Sequence, residues 1–253
     1  MKKLLLFLVL ISVFNACEKP SDCIESSGVT VIKEVEVQPF KRIKVYRGIE
    51  VVVTQGAETK VQIEAGANFI DNVEVKQYGD QLVFKDETSC NWVRAYGKTK
   101  ILITTPTLEE VYSKTDRNIS SNGIVTYPNL TLTALDKDAD GESGAGTGDF
   151  IFAVDNNDGN ATLTVNNNNV SRFYLSGQIT TANFNFYFGD GRIEAQNLTA
   201  QHIAVYHRGS NDMIVHPIQS IHGILNSTGN LILKNLPPVV DVQTLFYGSV
   251  VYP

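Results

Sequence analysis

A twenty-residue step runs through the last third of the chain, from about Phe184 to Tyr252. Gly189-Asp190, Gly209-Ser210 and Gly229-Asn230 recur at that interval, and Gly248-Ser249 follows one residue early. Apolar residues keep the same step. Ile193, Met213 and Leu233 form one column, Val205, Leu225 and Leu245 a second, and Leu198 with Ile218 a shorter third. A fixed period of this length with β-type patterning is the mark of a stacked solenoid, in which no single unit can bury its apolar side alone. Gly148-Asp149 and Asn168-Asn169 carry the step backwards. About five coils are expected, roughly 4.8 Å apart, in a body roughly 24 Å long. Asn156-Asn157 and the run Asn166 to Asn169 fit the turns, where stacked Asn can form amide ladders between coils.

The first half is also β-patterned, less regularly. Val29, Val31, Val35 and Val37 alternate with polar residues, and Ile43, Val45, Ile49, Val51 and Val53 continue the pattern. Tyr78-Gly79-Asp80 reads as a hairpin turn into Leu82-Val83-Phe84. Pro106 must close a strand because it cannot donate to a ladder. No stretch has a helical period of useful length, although Asn68 to Asn72 could hold one short turn. The expected fold is all-β: a solenoid of coils of about twenty residues with a more irregular β N-terminal part. That part could cover the first coil, while Pro253 gives the other edge modest protection.

The chain has 253 residues, 43% hydrophobic and 19% charged, which is globular and within reach of one β-rich domain. Its formal charge is −6. An acidic surface repels phosphate backbones, so nucleic acid is excluded as a partner. Lys2 and Lys3 precede an apolar run from Leu4 to Phe14 that is too short to span a bilayer comfortably. Residues 1–16 therefore read as a secretion signal. Asn15-Ala16-Cys17 resembles a bacterial lipobox, with Phe14 where Leu is usual. Lipidation of Cys17 would tether the chain to a membrane. Glu18 in place of Asp favours the outer membrane. Residues 17–28 read as a tether, and 29–253 as the folded domain. Cys23 and Cys90 could form a disulfide in an exported compartment, or remain unrelated thiols.

Phe40-Lys-Arg-Ile-Lys-Val45, Gly48, Gln55-Gly56, Cys90-Asn-Trp-Val-Arg94, Pro106-Thr-Leu108, Gly146-Thr-Gly-Asp149 and His207-Arg-Gly-Ser-Asn-Asp-Met-Ile-Val215 occur in that order. In this the chain resembles the putative auto-transporter adhesin head GIN domain family of Bacteroidetes, over about residues 30–253. The resemblance implies a right-handed parallel β-helix on an exported, often lipidated protein. It brings no catalytic residues with it.

Several constellations were weighed for chemistry. Asp136, Asp138 and Asp140, followed by Gly141, have the spacing of a calcium loop, but the twelfth position is Thr147 and not the Glu that completes such a site. A solvated acidic turn is the simpler reading, so calcium is the one cofactor entertained. His202 and His222 are one repeat apart and should stack on adjacent coils, either as solvent-facing polar residues or as a metal or pH-sensing pair. Asp190, Arg192, Arg208 and Asp212 fall in equivalent turns. They read as an Asp–Arg ladder, or as the carboxylate-and-base face of a polysaccharide lyase or hydrolase. Tyr174, Tyr187, Tyr206 and Tyr247 could form a sugar-stacking platform, or simply occupy strand positions. The expected function is a lipid-anchored envelope protein acting as a non-catalytic adhesion or ligand-binding module. Its partners would be the membrane through the anchor, and a glycan or an envelope or host protein. A β-helix lyase or hydrolase and a purely structural envelope component are the alternatives.

Overall fold

The computed structural model describes residues 27–88, 99–136, 141 and 146–253. Among these the only helix is a single 3-10 turn at Ile70–Asn72, and the protein is all-β. The strands are β1 (Thr30–Val35), β2 (Arg42–Val45), β3 (Ile49–Gln55), β4 (Lys60–Gly66), β5 (Val73–Tyr78), β6 (Gln81–Asp86), β7 (Thr99–Thr105), β8 (Glu110–Ser113) and β9 (Ile119–Val125). They continue as β10 (Asn129–Ala134), β11 (Phe150–Asn156), β12 (Thr162–Asn167), β13 (Arg172–Phe186), β14 (Arg192–His207), β15 (Met213–Leu225), β16 (Leu231–Leu233), β17 (Val239–Thr244) and β18 (Val250–Val251).

Two rows of parallel strands organise the molecule. The first row runs β6, β2, β8, β10, β12, then the second halves of β13, β14 and β15, then β17. The second row runs β7, β3, β9, β11, then the first halves of β13, β14 and β15, then β16 and β18. Alternation along each strand sends every second residue inward, as the buried positions of β3, β7 and β12 show. Inward residues then stack across strands. One column is Ile101, Val51, Ile119, Phe150, Phe173, Ile193, Met213 and Leu231, all fully buried. Phe150 and Phe173 lie face to face, with centroids 4.7 Å apart and planes 10° apart. Each such side chain contributes about 1.5–3 kcal/mol by leaving water, so this continuous core is the main stabilising term.

The parallel registers reach further toward the N-terminus than the repeat suggested. β2 and β3 pair with β8 and β9 across a 68-residue step, as Arg42 opposite Glu110 shows. The intervening segment returns to lay β6 and β7 on the other side of β2 and β3. Antiparallel strands then close that end: β5 on β6, β4 on β7, and β1 on β4. The first half thus covers one end of the stack, as anticipated. The hairpin at Gly79 (φ 61°) and the short turn at Ile70–Asn72 form where expected, and Pro106 follows the end of β7.

The apolar columns need correction. The step contracts to eighteen residues between β14 and β15, where His202 pairs with Ser220. It is again eighteen between β15 and β16, so Met213 sits on Leu231 and not on Leu233. Val205 sits on Gly223, and Leu225 lies between His207 and Thr244, where Leu245 was expected as the partner. Leu198 does not meet Ile218, because Thr199 pairs with His216 and Ala200 with Pro217 on that side. Gly209 and Gly229 are twenty residues apart but occupy different positions of their turns. A Cβ on Gly229 would lie 2.0 Å from the Asn211 carbonyl oxygen.

Candidate functional site

Most outward columns are ordinary strand surface, but the second row contains a trough. Its floor is the regularly paired β11 and β13, where Ile151 sits opposite Tyr174. On one side β9 carries extra residues at Ser121–Gly123, between the pairs Ile151–Ser120 and Ala153–Ile124. On the other side β14 bulges between Glu194 and Thr199. Bulges bend a strand and re-aim its side chains, and they gather next to binding and active sites. Here the two bulges form the walls of a cleft of about 220 Å³.

Tyr174 and Ile151 expose apolar surface along the floor, at 37% and 44% of their full areas. Arg172, two residues before Tyr174 on the same strand, has its pKa raised above the ordinary arginine value, chiefly by the Tyr174 side chain. Glu194 lines the β14 wall, and its carboxylate lies 2.5 Å from Arg192 Nε. Gln196 and Asn197 follow in the bulge. Gln196 Oε1 is buried and has no hydrogen-bond partner among the described residues. A buried amide oxygen without a partner costs about 1–3 kcal/mol, a cost the bulge carries in the folded state. The bulge itself is pinned by the Gln196 carbonyl, which lies 3.1 Å from His216 Nδ1. On the other wall Ser121 Oγ donates to the Gly123 carbonyl, and the Ala153 amide donates to Ser121 Oγ. The trough thus combines an aromatic face on its floor with acceptors on one wall.

Of the residues named from sequence, only Tyr174 belongs to this trough. Tyr187 and Tyr206 pack on each other elsewhere, with centroids 6.1 Å apart, and Tyr247 is 83% exposed near the C-terminus, so the four do not make one platform. His202 and His222 do not stack. His202 Nδ1 lies 2.9 Å from Ser220 Oγ, and His222 pairs with Ala204, two residues further along the strand. The turn residues tie layers together, but not as an Asp–Arg ladder. Asp190 accepts from Ser210 Oγ at 2.8 Å, Arg192 donates to Asn211 Oδ1 at 3.2 Å, and Asp212 accepts from the amide and side chain of Asn230. Arg208 is exposed and, with Asp190, Ser210 and Phe246, lines a shallow groove of about 480 Å³. The expected Asn ladder appears at one place, where Asn185 Nδ2 donates to Asn166 Oδ1 at 3.1 Å.

Asp136 uses its carboxylate to accept from Asn169 Nδ2 at 2.5 Å, and its amide donates to Asn168 Oδ1. Asp138 and Asp140 lie outside the described residues, as do Cys17, Cys23 and Cys90. Among the described residues no group of three or more His, Cys, Asp or Glu could hold a metal ion. No described helix is long and apolar enough to cross a membrane.

His207 has a structural use that the sequence did not disclose. It is fully buried; its Nε2 lies 2.8 Å from the Asn211 carbonyl, and its Nδ1 accepts the Gly209 amide. Burial pushes its pKa below the ordinary value, against the opposing hydrogen bond to Asn211. Asn167 serves its own turn in the same way, accepting the Asn169 amide.

Stacked parallel rows with a bulge-walled trough define the architecture of this all-β protein. The chain belongs to the family of the putative auto-transporter adhesin, head GIN domain, whose model matches residues 39–237. Solved structures share the fold. A putative adhesin from Bacteroides fragilis is 21% identical, with a TM-score of 0.66 over 89% of this chain and 97% of that one. A putative adhesin from Parabacteroides distasonis is 14% identical, with a TM-score of 0.63 over 89% and 98%. A putative lipid binding protein from the same species is 13% identical, with a TM-score of 0.60 over 90% and 98%. No curated protein matches the chain.

Proposed function

We propose that this chain is an exported envelope protein, anchored through lipidated Cys17, that acts as a non-catalytic adhesion or ligand-binding module. Its body is read as a right-handed parallel β-helix, and the trough at Tyr174 as the binding site. The family membership and the adhesin relatives support an adhesion-like role at the cell surface. The observation that carries the site is the coincidence of two bulges around a partly exposed tyrosine, with Glu194 and Asn197 on one wall.

The chemistry suits a carbohydrate. A sugar presents C–H faces to an aromatic ring and hydroxyl donors to acceptors such as Asn197 and Glu194. Hydrolysis of a glycosidic bond ordinarily needs two facing carboxylates. Glu194 is the one carboxylate lining the trough, and it lies against Arg192. Asp212, one of the two turn carboxylates whose spacing suits lyase chemistry, is held by Asn230. This arrangement favours binding over turnover. The test is a glycan array followed by calorimetry on Tyr174→Ala and Asn197→Ala. Saturable binding that both changes weaken, with no release of sugar, supports the reading. Binding indifferent to both changes, or release of unsaturated or reducing sugar, overturns it.

A further inference from the structure

The two ends of the strand rows are finished differently. At one end the outermost strands are β1 and β5, laid on antiparallel to their neighbours. Both carry charge: Lys33 and Glu34 in β1, Glu74 and Lys76 in β5. Their ion pairs include Lys33 with Asp71 at 2.7 Å and Lys60 with Glu34 at 3.0 Å. Charged edge strands are how β-proteins prevent unwanted pairing. At the other end β17 and β18 each have one pairing partner among the described residues, so their outer backbone groups face away from the stack.

This second end has little of the same protection. Asp241 is the only charged residue from Leu236 to Pro253, and the proline pair at 237–238 precedes β17 without interrupting it. Large apolar side chains gather here instead: Leu236, Val239, Leu245, Tyr247, Val251 and Tyr252 are 42–83% exposed. An apolar end with one charge per copy and free strand edges among the described residues is complementary to another surface of the same kind. A two-fold axis brings two such ends together as an isologous contact.

We propose that this end docks a second copy of the chain, tail to tail, with β17 pairing antiparallel to the partner's β17. The pleat restricts the register, because Val240 and Val242 must remain on the inward face in both copies. Pairing Val242 with its own symmetry mate keeps that face and places Asp241 opposite Gln243, whereas a one-pair shift would set Asp241 against itself. The half-exposed side chains offer about 600 Å² per copy, given that a whole aromatic buries about 150–250 Å². Two copies would then bury about 1,200 Å², the lower bound for a specific interface. A lipid surface is the less suitable occupant, because the tether enters at β1, at the far end of the second row, roughly 48 Å away at ten strand spacings.

The test is sedimentation of the mature chain carrying Cys17→Ser over a concentration series, beside two charge variants. Val239→Lys with Tyr247→Lys loads the open end. Val29→Lys with Ile32→Lys adds the same charge beside the covered end, at positions also exposed. The expected result is a reversible dimer that the first pair weakens about tenfold or more and the second leaves intact, as like charge across an interface requires. Hydrogen exchange of β17 amides in the unaltered chain should slow as concentration rises. A chain that stays monomeric throughout, or a dimer broken only by the Val29 and Ile32 changes, overturns the proposal. So does binding to phosphatidylcholine vesicles that the Val239 and Tyr247 changes abolish, because the occupant would then be lipid.

Discussion

Gly248 lies so close over Gly229 that a Cβ on Gly248 would stand 2.1 Å from the Gly229 carbonyl oxygen. The two turns touch through their backbones, and the glycines are what allows them to stack. Gly248→Ala must push the last turn off the layer beneath. The expected cost is about 1–3 kcal/mol, as for other overpacking changes. A thermal melt checks it, and an unchanged midpoint would mean that the turns are not stacked as described.

His207 makes stability depend on pH. The folded state holds it neutral, with its pKa pushed down by burial, so the unfolded chain binds a proton more readily. Its contribution is therefore intact above the ordinary histidine value of about 6.5 and is lost as pH falls from there toward the lowered folded value. His207→Asn should remove this dependence while keeping the turn, since Asn167 caps the equivalent turn through its own oxygen. Denaturant melts across that window should show the native slope and its loss in the variant.

The sequence repeat conveyed the β character, the turn chemistry and a stack, because alternation and tight turns leave local marks. It did not convey the register. The glycine of one turn aligns with Asn211 of the turn before it, a two-residue offset that equal spacing between Gly209 and Gly229 conceals. That offset separated His202 from His222 and Val205 from Leu225. The trough was hidden for the same reason, since a bulge exists only relative to its neighbouring strand. A faint signal was present in β14, where the inward residues Ile193, Ala195, Leu198 and Ala200 break strict alternation at Gln196-Asn197. Tyr174 could be read as a sugar platform, but Glu194 and Gln196 could be joined to it only through the pairing.

Calcium is expected to be without effect. The Asp136 carboxylate is already engaged by Asn169, and its amide by Asn168. Melts in chelator and in excess calcium should coincide. A rise of several degrees on adding calcium would assign the Asp136 to Asp140 loop to an ion.

Cys17 is expected to carry the anchor. Acyl chains add about 0.8 kcal/mol per buried methylene, so two or more hold a protein stably at a bilayer. Cys17→Ser should move the chain from the detergent-rich phase to the aqueous phase of a cloud-point extraction. A variant that still partitions with detergent would place the membrane attachment elsewhere.

The most direct test of the account is calorimetry of the best glycan from an array, comparing the native chain with Tyr174→Ala. The trough predicts saturable binding that weakens by about 1–3 kcal/mol, roughly the scale of losing a well-placed aromatic contact together with its buried area. Equal affinity in both proteins would contradict the assignment of the trough as the binding site.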